Sequence, residues 1–210
     1  LRKKNDLIDP ERHSKRILAT MQKDLRMNEP PVHLECFDNS NFQGDHAVAA
    51  CVVFKNTKPS KKDYRHFNIK TVEGANDFAS MEEIIYRRYS RLLEEGADLP
   101  QLIVIDGGKG QLSASMNSIK KLGLKGKITV IGIAKKLEEI YYPGDSIPLY
   151  LDKNSETLKI IQQARDEAHR FGITHYRKKH QKSLIKSQLI DIKGFGPNTV
   201  DALLKKFKSV

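Results

Sequence analysis

The chain has 210 residues, enough for one ordinary domain or one domain with a small appendage. Hydrophobic residues make up 39% and charged residues 30%, which excludes a disordered chain. No apolar run approaches the roughly 18 residues that span a bilayer, so no membrane partner is expected.

The formal net charge is +11, with the excess gathered in the last third, from Arg165 and Arg170 to Lys205, Lys206 and Lys208. Dispersed charge serves solubility, whereas clustered Lys and Arg favour a polyanionic partner, because they neutralise phosphates and release counterions. The opening Leu1, Arg2, Lys3 and Lys4 have no apolar segment behind them, which reads as a fragment of a longer cytoplasmic protein rather than a secreted one. Cys36 and Cys51 each sit in an apolar run without metal-binding spacing, so they read as reduced core residues.

In chain order, residues 10–27 carry Ile17, Leu18, Met21 and Leu25 at helical spacing, and Pro30 and Pro31 end the pattern. Strand signals follow at residues 32–38, 47–55 and 64–70, the first two joined by a polar link containing Gly44, which predicts an antiparallel meander. Phe78, Met81, Ile85, Tyr89 and Leu92 then share one face of a helix that ends at Gly96. An apolar strand at 102–105 stops at Asp106-Gly107-Gly108, a helix is predicted over 111–122, and a second buried strand over 129–134. Strands alternating with helices imply parallel pairing through crossovers. A hairpin around Pro143-Gly144-Asp145 precedes a long helix from near Ser155 to near Lys182. The order is that of an α/β, RNase H-like mixed sheet with flanking helices. The chain divides into an N-terminal helix and linker (1–31), that domain (32–183) and a small all-α tail (184–210).

Asp38 and Asp106 each end an otherwise apolar strand. One such carboxylate is ordinarily a cap or turn residue. Two, on strands expected to be neighbours, point to a hard-cation site of oxygen ligands, because a carboxylate is costly to desolvate alone. Asp77, just before the Phe78 helix, is either a helix cap or a third ligand. The Asp106–Gln111 turn lacks the spacing of a P-loop or a dinucleotide fingerprint, so its glycines read as close-approach positions, with Lys109 facing phosphate. In the long helix Leu158, Ile161, Ala164, Ala168 and Phe171 form an inward stripe, with Gln162, Arg165, Asp166 and His169 on the adjoining polar one. His169 is a candidate metal ligand or proton-transfer group.

The tail contains Ile192-Lys193-Gly194-Phe195-Gly196-Pro197 followed by a helix, the form of a helix-hairpin-helix motif. Its glycines expose consecutive backbone N–H groups to one phosphate, with Lys193, Gly194, Gly196 and Lys205 as the DNA-binding residues, joined by Lys109, Arg165 and Arg170 upstream. Such binding ignores base sequence.

Glu35-Cys36-Phe37-Asp38, Gln43-Gly44, Ala49–Phe54, residues 64–69, Ile105–Leu112, Val130–Glu139, Arg165–Thr174 and the hairpin motif together closely resemble the UvrC excinuclease family, almost throughout from residue 32. The resemblance implies an RNase H-like endonuclease. Its implied reaction is the 5′ incision beside a lesion in double-stranded DNA, within nucleotide excision repair. It also implies that Asp38, Asp106 and His169 fall on the catalytic aspartates and histidine, and Asp77 on a further acidic position. The paired carboxylates Asp38 and Asp106 are the expected ligands of Mg²⁺ or Mn²⁺. The family's N-terminal nuclease and its UvrB-binding segment are absent from this chain, and one of the usual two hairpin motifs is present. Many members carry Ile-Ser-His after the first aspartate, where Asn39-Ser40-Asn41 stand here, so no role attaches to position 41. The rival readings are an RNase H-type nuclease acting on RNA/DNA hybrids and a non-catalytic DNA-binding module.

Overall fold

A computed structural model describes residues 9–40, 48–72, 76–134, 139–190, 192 and 196–207. The chain forms two compact units, Leu1–Gly172 and Ile173–Val210. No described helix is long and apolar enough to cross a membrane.

The first unit opens with α1 (Pro10–Asp24), whose N-cap Asp9 accepts from the backbone N–H of Glu11 and Arg12, with Pro10 set at the first turn. The strands are β1 (His33–Ser40), β2 (Val48–Lys55), β3 (Lys58–Pro59), β4 (Arg65–Asn68), β5 (Leu102–Asp106), β6 (Thr129–Ala134) and β7 (Glu139–Tyr141). Between them lie α2 (Asp77–Glu94) and α3 (Lys109–Lys121), each closed by a glycine at positive φ, Gly96 and Gly123. Helix α4 (Glu156–Ile190) runs across the division between the units, and α5 (Pro197–Phe207) lies in the second.

The sheet order is β3-β2-β1-β5-β6-β7, with β4 also on β2. β1 pairs antiparallel with β2, while β1–β5 and β5–β6 are parallel and β6–β7 antiparallel. This is the predicted mixed sheet, with the meander and the crossovers both in place.

Side-chain alternation along β1 places the helices. Glu35 bonds Arg88 and Tyr89 of α2, whereas Asp38, an odd step away, bonds His169 of α4. So α2 and α4 cover opposite faces of that strand. Ser118 of α3 donates to the Glu82 carbonyl of α2 at 2.6 Å, and Arg16 of α1 pairs with Glu156 of α4 at 2.8 Å. Two helices therefore share each face, and the core lies between.

Ile17, Leu18, Met21 and Leu25 of α1 join the same core as the strands, because an amphipathic face must be covered and α4 offers the layer. Three expectations change. The third strand is shorter than residues 64–70 and is preceded by the two-residue β3. Helix α4 continues to Ile190, past Lys182, since basic side chains are compatible with a helix. Phe78 does not share the buried face of α2: it is 56% exposed, while Met81, Ile85, Tyr89 and Leu92 are buried.

Candidate active site

Asp38 and Asp106 are direct partners in the parallel β1–β5 register, so their side chains leave the sheet on the same face at the carboxyl ends of two central strands. Both are buried, at 3% and 4% exposure. The polar stripe of α4 brings His169 over them. Its Nδ1 lies 2.9 Å from Asp38 Oδ2, and its ring is 45% exposed, so the imidazole forms the mouth above a buried carboxylate pair. Ligand atoms of all three residues lie within 4.8 Å of one another, the one such cluster among the described residues.

Below the pair, the Cys36 thiol is held well above its usual range, first by burial and then by the charges of Asp106 and Asp38, with Arg165 acting in the opposite sense. Two buried carboxylates side by side make an acidic pocket, an environment that draws a cation. Donors bound to one hard divalent ion at about 2.0–2.6 Å stand up to about 4–5 Å apart. Two carboxylates and one imidazole at the observed spacing therefore fit such an ion, with oxygen as the majority donor.

Asp77 occupies the first position of α2, but the cap is Asn76, whose Oδ1 accepts from Ala79 N–H at 3.1 Å. The Asp77 carboxylate is outside the three-residue cluster. Its backbone carbonyl accepts from Asn39 Nδ2 at 3.1 Å, which ties the start of α2 to the residue after Asp38. Lys109 Nζ donates to the Ser146 carbonyl at 2.7 Å and lies 4.8 Å from the Tyr141 ring centroid, so it fastens the loop after β7 beside the Asp106 turn. Arg165 pairs with Asp166 at 2.9 Å, and Arg170 with Glu167 at 2.6 Å. Gly196 is exposed just before α5, whereas Lys193, Gly194 and the Lys205 side chain lie outside the described residues.

Sequence reasoning missed the polar cluster on the opposite face of β1. The Glu35 carboxylate is fully buried and accepts from Tyr89 OH at 2.9 Å and Arg88 Nη2 at 2.5 Å, with His33 Nε2 at 3.2 Å. Burial alone pushes its pKa up, but the bonds from His33 and Arg88 and the Arg88 charge outweigh that and hold it at about 2. The signal available was a Glu in the middle of an apolar strand. No sequence pattern named Arg88 and Tyr89, which come from a helix about fifty residues on.

The family model described as the UvrC RNAse H endonuclease domain matches residues 22–173. The chain is 66% identical over 208 residues to the UvrABC system protein C of Flavobacterium psychrophilum, covering 99% of this chain and 35% of that protein. The corresponding proteins of Porphyromonas gingivalis and Bacteroides thetaiotaomicron are 60% identical over 208 residues and 46% identical over 212, with the same coverages. The chain thus spans about a third of the length of these curated relatives. Among solved structures, endonuclease V of Streptomyces avermitilis superimposes with a TM-score of 0.45 at 13% identity, covering 80% of this chain and 94% of that one.

Proposed function

This chain belongs to the UvrC RNase H endonuclease domain family, and from that premise we propose that it is the part of a metal-dependent DNA endonuclease that makes the 5′ incision beside a lesion in nucleotide excision repair. The observation that carries the reading is the convergence of Asp38, Asp106 and His169 at the carboxyl ends of two parallel strands.

In this reading Asp38 and Asp106 hold Mg²⁺ or Mn²⁺. The bound ion supplies activation of water and neutralisation of the phosphoryl oxygens. Asp38 has a second task, since its hydrogen bond to Nδ1 orients the His169 ring. With Nδ1 so engaged, Nε2 is the nitrogen that exchanges a proton with the leaving oxygen as one P–O bond of the backbone is hydrolysed. Asp77 acts from the rim, at the first turn of α2. Damaged duplex DNA is the substrate. Lys109, Arg165, Arg170 and a helix-hairpin-helix over residues 184–210, with Lys193, Gly194, Gly196 and Lys205, engage its phosphates without reading sequence. The boundaries 32–183 for the nuclease and 184–210 for the tail belong to the same proposal, as do a cytoplasmic location and a place beside UvrB in the UvrABC system.

The test is strand nicking of plasmid DNA by this chain with and without Mn²⁺, run beside an RNA/DNA hybrid of matched sequence. Metal-dependent nicking of the duplex is the expected result. Cleavage confined to the hybrid selects the RNase H-type alternative, and tight binding without nicking in any metal selects a non-catalytic module.

A further inference from the structure

Phe78 is a large apolar side chain at 56% exposure, and its surroundings separate it from an ordinary exposed residue. Val32 and Leu93, also exposed, belong to the opposite end of the sheet, one just before β1 and the other near the end of α2. Tyr150 is exposed too, but its hydroxyl is committed to Glu139. Phe78 stands at the carboxyl ends of the two carboxylate-bearing strands. It follows Asp77, whose carbonyl is bonded to the neighbour of Asp38, and its ring rests on Gly110, four residues beyond Asp106.

The contact with Gly110 is a seat that a larger residue would fill only by moving the ring. A Cβ there would stand 2.5 Å from Phe78 Cε1 and 2.9 Å from Cζ. One side of the ring is thus packed on backbone while the rest meets solvent. Both elements that make the seat are locked together, because Glu82 of α2 accepts from Ser118 and pairs with Lys121 of α3. An aromatic surface packed on one side and open on the other, at the rim of a site, suits a flat ligand.

We infer that Phe78 is a substrate-contacting residue whose exposed ring stacks on a nucleobase of the DNA strand being cut. The inference rests on the nuclease reading above and deepens it. Stacking on an aromatic ring suits an enzyme that must cut at any sequence, because every base has a π-face. The ring positions the strand, and takes no part in proton transfer or metal binding.

The chain contains no tryptophan, so F78W carries a single indole reporter. An end-labelled duplex oligonucleotide, titrated in Ca²⁺ to bind without turnover, should quench that indole saturably over the range in which the DNA anisotropy rises. Phe78→Ala should raise KM for plasmid nicking about 10-fold, the size of one base–aromatic stack, with kcat changed much less, and F78W should restore it. Gly110→Ala should raise KM as well by displacing the ring, although alanine favours the helix and a purely structural role predicts unchanged or improved stability. An unquenched indole on bound DNA, or an unchanged KM in Phe78→Ala, overturns this inference alone. If the parent chain neither nicks nor binds the duplex, the nuclease reading falls and this inference with it.

Discussion

Asp38 and Asp106 face each other across adjacent strands and both are buried, so their mutual repulsion is a standing cost that a bound cation removes. Asp38→Asn and Asp106→Asn should therefore abolish nicking while leaving the thermal midpoint in chelator unchanged or raised, which plasmid assays and thermal scans check together. His169 contributes no core volume, and His169→Ala should lower kcat by roughly 10²- to 10⁴-fold, the range of a lost acid–base group. If the residue exchanges protons, Mn²⁺ affinity in that variant stays near the parent's and the pH–rate profile changes. Much weaker Mn²⁺ binding would assign it as a ligand instead. Glu35 behaves differently, because its pKa is depressed from 4.5 to about 2 in the folded chain. The sign follows: its stabilising share is complete above pH 4.5 and is lost as the pH falls toward 2. The span corresponds to roughly 3 kcal/mol. Urea unfolding at pH 5 and pH 2.5 should show a smaller loss for Glu35→Gln than for the parent, while Arg88→Met, which strands the buried carboxylate, should cost roughly 3–5 kcal/mol at neutral pH.

At the scale of elements, the site is an agreement between β1, β5 and α4, with the start of α2 fastened alongside by Asn39. The inward stripe of α4 reaches Phe171, which stacks on His66 at 3.7 Å between centroids and takes a bond from its ring at the backbone carbonyl. This anchor holds the first half of α4 on the first unit. A chain ending at residue 183 keeps that anchor and about three more turns of helix, so it should unfold cooperatively within a few degrees of the parent. It should bind DNA more weakly, with a shallower dependence of log Kd on log salt, since each lost phosphate contact removes about 0.9 from the slope. Unfolding of the truncated chain would show that the tail belongs to the nuclease core.

For the whole molecule, the chain carries a net charge of +11 and an acidic pocket, and the two play different parts. The cationic surface gathers polyanions over a Debye length, whereas the buried carboxylates admit an ion of opposite sign at short range. An ion that binds the folded chain and not the unfolded one raises the melting temperature by mass action. Mn²⁺ should therefore raise the midpoint of the parent and leave Asp106→Asn unmoved, in a thermal scan that needs no DNA. A matching shift in both proteins would place the ion elsewhere.

What the sequence determined by itself was whatever depends on local order. Periodicity specified the strands and helices, and the two aspartates closing apolar strands, with a histidine on the polar stripe of a long helix, were its candidates for a site, which the fold brings into one cluster. Tertiary structure alone decided the rest. It set the one-to-one register that makes Asp38 and Asp106 neighbours, the Asn76 cap that leaves Asp77 in the first turn, and the engagement of Lys109 with Ser146. It also put α1 into the core and turned Phe78 outward onto Gly110, though its spacing matched the buried face. The physical reason is the same in each case. A hydrophobic or charged pattern states that a side chain needs a partner, but the partner is chosen by packing between segments tens of residues apart.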